Sequence, residues 1–234
     1  MHHVIVERWS RRRSWMHARD ARVKLAALVA LIAASATTPP SHWTAALFYG
    51  ALALAGVLAA RLPVHSLLSR AALVLPFSAT FAAVNWLAGD PARASALLWK
   101  SYLSAFSVLL FVSCTPLADA LRALEWCRVP SLLILIAQFL YRYLFVISEQ
   151  AQHMRLAAQC RAGGNHDWTF RGAAAALSVL FVRSYSRADG IRQAMNARGF
   201  AGRFPALAAP RFTWIDGVFG AAAIAACAGV RVMA

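Results

Sequence analysis

Trp43-Thr44-Ala45-Ala46-Leu47-Phe48-Tyr49-Gly50-Ala51-Leu52-Ala53-Leu54-Ala55-Gly56-Val57-Leu58-Ala59-Ala60 contains no charged side chain, and Arg61-Leu62-Pro63 closes it. A helix crosses the hydrocarbon core of a bilayer with about 20 mostly apolar residues, within a working range of about 17–25. This stretch meets that requirement, and comparable stretches flank it. Upstream, Leu25 to about Thr38 approaches the same length, with the Lys24 stem able to snorkel at its start. Thr37-Thr38-Pro39-Pro40-Ser41 ends that run, because proline lacks an amide donor and restricts the residue before it. Downstream, a third run covers about Leu67 to Ala88, with Pro76 inside it. Pro76 predicts a kink, which membrane helices tolerate when neighbours satisfy the freed carbonyl. Gly89-Asp90-Pro91 is a turn, and about Ala94 to Ser113 forms the fourth run. Phe212 to about Val230 forms the last, rich in the Ala and Gly that suit close helix packing.

The composition agrees with a membrane protein. Sixty per cent of the 234 residues are apolar and only 14% are charged, whereas an ordinary soluble domain has about 25% charged residues. The net charge is +15, from 24 Lys and Arg against 9 Asp and Glu. These charges collect between the apolar runs, as they do in cytoplasmic loops of multi-span proteins. The N-terminal stretch, with Arg8, Arg11, Arg12, Arg13, Arg19, Arg22 and Lys24, is therefore expected in the cytoplasm. Arg11-Arg12-Arg13 reads as an orientation signal in contact with lipid headgroups. The Thr37–Ser41 loop is expected outside, and Arg61 and Arg70 flank the next inside loop. Arg93 and Lys100 fit the rule less well. The expected organisation is a cytosolic basic segment at 1–23, four transmembrane helices in 24–114, a cytosolic region at 115–211, and a C-terminal transmembrane helix at 212–234. The fold class is all-α, polytopic, with about five spans.

Several functions are excluded by what is missing. Basic patches interleaved with aromatics are absent, so nucleic acid is not an expected partner. Cys114, Cys127, Cys160 and Cys227 form no CxxC pair, which argues against a zinc site or a disulfide framework. No GxxxxGK[ST], HExxH or GxSxG occurs, and the acids are scattered along the chain. No catalytic residue, metal ligand set or cofactor is expected. The first twenty residues are Arg-rich and lack the apolar region of a cleavable signal peptide. A self-contained carrier or channel would need polar groups within its spans, and an integral membrane enzyme would need acids or His at one bilayer depth. Asn85 is the main polar exception seen in the spans.

Ser131 to Ile147 is apolar enough to pass for a further span, but Gln138 and Arg142 sit near its middle, one helical turn apart. A charge at a span centre costs at least about 2.5–3.5 kcal/mol. Leu132, Ile136, Phe139, Tyr143 and Ile147 continue as Gln150, Met154, Ala157 and Arg161 at three- and four-residue spacing, one face of a long amphipathic helix. Pro130 suits its first turn. A second such helix runs from about Gly172 to Arg198, through Leu177, Leu180, Phe181, Ser184, Ala188 and Ile191. Between them, Gly163-Gly164-Asn165-His166-Asp167 is a turn. Both helices end in an Arg-Gly pattern: Arg161-Ala162-Gly163 and Ala197-Arg198-Gly199. Such an end is either a capped helix with a cation favourable to its dipole or a docking surface for another protein.

In order along the chain stand Ser14-Trp15-Met16-His17-Ala18-Arg19-Asp20-Ala21-Arg22-Val23-Lys24-Leu25, Thr115-Pro116, Leu121-Arg122-Ala123-Leu124, Val129-Pro130, Tyr141-Arg142-Tyr143 and the two Arg-Gly motifs. This ordered set resembles the transmembrane T component of energy-coupling factor (ECF) transporters, the EcfT/CbiQ family, over nearly the whole chain. The opening resembles the family's S-x-x-H-x-x-D-x-R-x-K, with Asp20-Ala21-Arg22 in place of D-P-R. The resemblance implies a non-catalytic membrane subunit of a bacterial plasma-membrane importer. Its partners would be two ABC-type, CbiO-like ATPase subunits, a substrate-binding CbiM-like S component and a small CbiN-like accessory subunit. It implies that Arg161 with Gly163, and Ala197, Arg198 and Gly199, seat on the two ATPases. Asp20, Arg22, Lys24 and Arg142 would give structural support, with Arg142 meeting a carboxylate or helix-end carbonyls. The first motif departs from the family's Arg-Gly, since Ala162 intervenes. The N-terminal residues and the length look most like the cobalt branch, with nickel, biotin or another vitamin as alternative cargo.

Overall fold

The computed structural model describes residues 14–40, 42–161, 170–202 and 213–233. Among them every regular element is helical. The chain divides into two units, Met1–Cys127 with Ala208–Ala234, and Arg128–Leu207.

The first unit is a helical bundle. Helix α1 spans Ala21–Thr37 and starts at Asp20, whose carboxylate accepts from the Arg22 amide at 2.9 Å. Helix α2, Trp43–Ala60, stops at Arg61, which adopts a left-handed φ of 52°. The third run is broken as Pro76 predicts. Helix α3, Val64–Ala71, passes through a 3₁₀ turn at Ala72–Val74 into α4, Leu75–Leu87. The Pro76 ring excludes the carbonyl four residues earlier, that of Ala72, where the turn begins. Helix α5, Pro91–Cys114, follows a turn with Gly89 at φ 89°. A short α6, Leu117–Trp126, comes next; the sequence reading gave this region only two long helices. Helix α9, Trp214–Met233, completes the unit.

One line of small and aromatic residues on α2, Ala45, Tyr49, Ala53, Val57 and Ala60, is buried. It belongs to one core with Leu67 and Ala71 of α3 and Leu103 and Phe106 of α5. Helices approach closely where side chains are missing. A Cβ on Gly56 would stand 2.9 Å from Leu110 Cδ2, and one on Gly220 would stand 2.6 Å from Val23 Cγ1. Backbone approach of this kind holds helices together in lipid, where the hydrophobic effect gives no drive between them. Leu47, Leu73, Phe77 and Leu87 are all at least 70% exposed. Outward-facing apolar side chains of this size suit hydrocarbon.

Among the described residues, five helices are long and apolar enough to cross a membrane: Trp43–Ala60, Val64–Leu87, Pro91–Cys114, Ser131–Arg161 and Trp214–Arg231. The chain is a multi-pass membrane protein. The number equals the expectation, but the set differs. Helix α1, expected as the first span, has 17 residues, carries Arg22 and Lys24 near its start, and is not in the set. The helix beginning at Ser131 is in it, because its first half is apolar.

The second unit is a pair of long helices, α7 (Ser131–Arg161) and α8 (Phe170–Ala197). Its grooves show that the pair is antiparallel. Ile136, Phe139, Tyr143 and Ile147 of α7 line one groove with Phe181, Ala188, Ile191 and Met195 of α8. Gln150, Met154, Ala157 and Arg161 line a second with Gly172, Ala176 and Val179. The face read from the sequence is the face α7 turns to α8, except that Leu132 lines neither groove. On α8, Phe181, Ser184, Ala188 and Ile191 line the first groove, whereas Leu177 and Leu180 line neither.

Candidate coupling site

Helix α8 ends in a complete Schellman motif. The Gly199 amide donates to the Asn196 carbonyl at 3.0 Å, and the Phe200 amide donates to the Met195 carbonyl at 3.1 Å. This double closure requires a left-handed residue at Gly199, and its φ is 69°. A side chain there would meet its own backbone, at a cost of roughly 1–2 kcal/mol. Met195 and Phe200, the pair that usually makes the motif's apolar contact, both border the α7–α8 groove. Ala197, Arg198 and Gly199 are exposed. The Arg198 guanidinium has no ion-pair partner among the described residues. Its donor fork is therefore available to an external carboxylate or carbonyl. Nearby on α8, Arg192 donates to Asp189 Oδ1 at 2.8 and 3.2 Å and holds that carboxyl below its ordinary value, with help from Gln193. A lowered carboxyl supports the helix above its unfolded-state value, and that support is lost as the pH falls through the folded value.

Arg161 is the last residue of α7 and is also exposed. Gly163, its expected cap, lies outside the described residues, as do Ala162 and Asp167. The structure does not bring Arg161 and Arg198 together. Because the helices are antiparallel, Arg161 stands at the α8 start and Arg198 at the α7 start. The separation is on the order of 35 Å, most of the length of α7 at about 1.5 Å per residue.

Asp20, Arg22 and Lys24 form a separate cluster in the first unit. Lys24 is 6% exposed and its Nζ donates to the carbonyls of His17 at 3.3 Å and Cys114 at 3.2 Å. The start of α1 is thereby tied to the end of α5. Ser14 Oγ and His17 Nδ1 are 2.7 Å apart, which sets the turn leading in. Arg22, Asp119 and Arg122 border a polar cavity of about 220 Å³ beside this cluster. Arg142 is exposed on α7, its guanidinium lies 6.0 Å from the ring of its neighbour Tyr143, and no carboxylate pairs with it among the described residues.

The sequence reading missed Asp216. Its Oδ1 pairs with Arg19 Nη1 at 3.2 Å, with both side chains nearly buried, and its Oδ2 accepts from the Thr213 amide at 3.0 Å. Arg19 also lies 4.8 Å over the Trp15 ring, which meets Phe219 edge-on at 5.7 Å. The signal was present: Thr213 and Asp216 have the three-residue spacing of a capping box at the start of an apolar run. Among the described residues, no group of three or more His, Cys, Asp or Glu comes together to hold a metal.

A family described as CbiQ, cobalt transport protein, matches residues 12–207. The chain is similar to the cobalt transport protein CbiQ of Rhodobacter capsulatus, 30% identical over 188 residues, which cover 75% of this chain and 76% of that protein. It is also similar to an uncharacterized protein of Methanocaldococcus jannaschii, 26% identical over 113 residues, covering 47% of this chain and 42% of that one.

Proposed function

The chain belongs to the CbiQ cobalt transport protein family, and on that premise we propose that it is the coupling T component of an ECF-type ABC importer. It transmits ATP-driven motion from two ATPase subunits to a substrate-binding S component that carries cobalt. The observation that carries this reading is the pair of exposed Arg-bearing helix ends at opposite ends of α7 and α8. Two docking points separated by most of a helix length match an engine with two subunits. Ala197, Arg198 and Gly199 seat on one ATPase and Arg161 with Gly163 on the other. ATP binding closes the ATPase pair, α7 and α8 move with it, and the spans reorient the S component to release its ion inside.

The second unit is the cytosolic coupling region in this reading, and α7 is a coupling helix in spite of its apolar first half. Gln138 and the exposed Arg142 support that assignment, since a charge is costly at the centre of a span. The excess of Arg in the N-terminal stretch and in 115–211 supports a cytoplasmic side for both, and the membrane in this reading is a bacterial inner membrane. The test is reversal of both docking charges, Arg161→Glu with Arg198→Glu, in the coexpressed complex. ATPase subunits should no longer copurify and cobalt uptake should cease. Full copurification with normal uptake would sink the docking assignment.

A further inference from the structure

Two cavities of opposite character meet at Lys24 in the first unit. One is the polar cavity of about 220 Å³ between the start of α1 and the start of α6. The other is a partly open cavity of about 280 Å³ among α1, α2, α5 and α9, walled by such residues as Leu31, Leu52, Leu110 and Phe219. Apart from Lys24 and Ser107, every side chain lining this second cavity is apolar or a thiol. The Ser107 hydroxyl is spent on the Leu103 carbonyl at 2.7 Å. From Lys24 to Leu31 the apolar cavity follows α1 for about 10 Å, and from Cys114 to Ser107 it follows α5 for as far. A void of this size forfeits dispersion contacts along its walls.

The polar cavity has an excess of positive charge. Arg19, Arg22, Lys24 and Arg122 line it against Asp20 and Asp119. Arg19 is committed to Asp216 at 3.2 Å, and Arg122 lies 3.6 Å from Asp119. Arg22 is exposed and enters no ion pair among the described residues. Its planar fork suits a phosphate oxyanion. Lys24 borders both cavities, and a lysine serves such a junction with an apolar stem and a charged tip.

We propose that the two cavities form one site for an anionic phospholipid of the leaflet that meets the start of α1. The headgroup phosphate lies against Arg22 in the polar cavity, and the first part of an acyl chain fills the apolar cavity between the helices. Charge and hydropathy together select this occupant. A free phosphate leaves the apolar cavity unfilled, and an acyl chain without an anionic head leaves the positive excess unmatched. The site goes beyond the coupling role, and neither the ATPases nor the S component takes part in it.

The test is native mass spectrometry on the full chain purified in detergent and titrated with phosphatidylglycerol, phosphatidylcholine and inorganic phosphate. One phosphatidylglycerol should bind at least about fivefold more tightly than phosphatidylcholine, and inorganic phosphate should not displace it. Arg22→Gln should weaken that binding about fivefold, and Arg22→Lys should keep most of it. Ala223 lines the apolar cavity, so Ala223→Leu should exclude the chain and weaken binding at least about tenfold. Equal binding of the two lipids, or unchanged binding in both Arg22→Gln and Ala223→Leu, overturns the proposal. Displacement by inorganic phosphate, with Ala223→Leu without effect, makes the ligand a free phosphate and overturns it equally. If Ala223→Leu does not fold, the Arg22 pair decides: loss with Gln and retention with Lys supports the site, and equal behaviour of the two refutes it.

Discussion

Lys24 is the residue on which the first unit converges. Its ammonium is buried and bonds two carbonyls from different parts of the chain, His17 and Cys114. Lys24→Met keeps the length of the stem and removes both donors. Hydrogen bonds to charged groups contribute about 1.5–3 kcal/mol each, so the detergent-purified protein should melt clearly lower, by thermal unfolding followed by fluorescence. An unchanged melting temperature would show that the ammonium is not what ties α1 to α5. The run Asp20, Arg22, Lys24 was legible because each side chain stands near a helix start, where Asp20 caps by a local rule. The partner of Lys24 was not legible, since the Cys114 carbonyl is distant in sequence and any backbone carbonyl could have served. Gly199 shows the opposite case. Its left-handed cap is a local property, and the Ala-Arg-Gly string announced it.

At the scale of elements, packing between α1 and α9 is set by the absence of a side chain. A Cβ at Gly220 would stand 2.6 Å from Val23 Cγ1. Valine is stiff at its first torsion, so the neighbour cannot swing away cheaply. Gly220→Ala should destabilise the bundle by about 1–3 kcal/mol, and Val23→Ala in the same chain should restore most of that loss. The measurement is a double-mutant cycle on melting temperatures; independent, additive effects would refute the contact. The periodic runs located the helices to within a few residues, and Pro76 located the break between α3 and α4. The short α6 escaped because its ten residues merge with a basic region that has no long apolar period. Asp216 escaped for a related reason. It is a lone acid in the sequence, and only folding brings Arg19 to it.

For the whole molecule, the division of labour between the two units can be checked by chemistry on native thiols. Cys114 and Cys227 are buried, whereas Cys127 and Cys160 are exposed. A variant keeping only Cys160 should react with a membrane-impermeant maleimide in inside-out vesicles and not in intact spheroplasts. Labelling from the outside would contradict a cytosolic α7–α8 pair. Composition, apolar run length and the distribution of Arg were enough to determine an all-α membrane protein and the positions of most of its helices, because the bilayer imposes length and hydropathy on each segment separately. The ordered motifs were enough to point to the family, because each motif is a local string. The antiparallel pairing that carries Arg161 and Arg198 to opposite ends, the Arg19–Asp216 bridge, and the meeting of a polar and an apolar cavity at Lys24 were decided only by the tertiary structure. Each depends on which surfaces meet, and a one-dimensional pattern of apolar and basic residues is compatible with many such meetings.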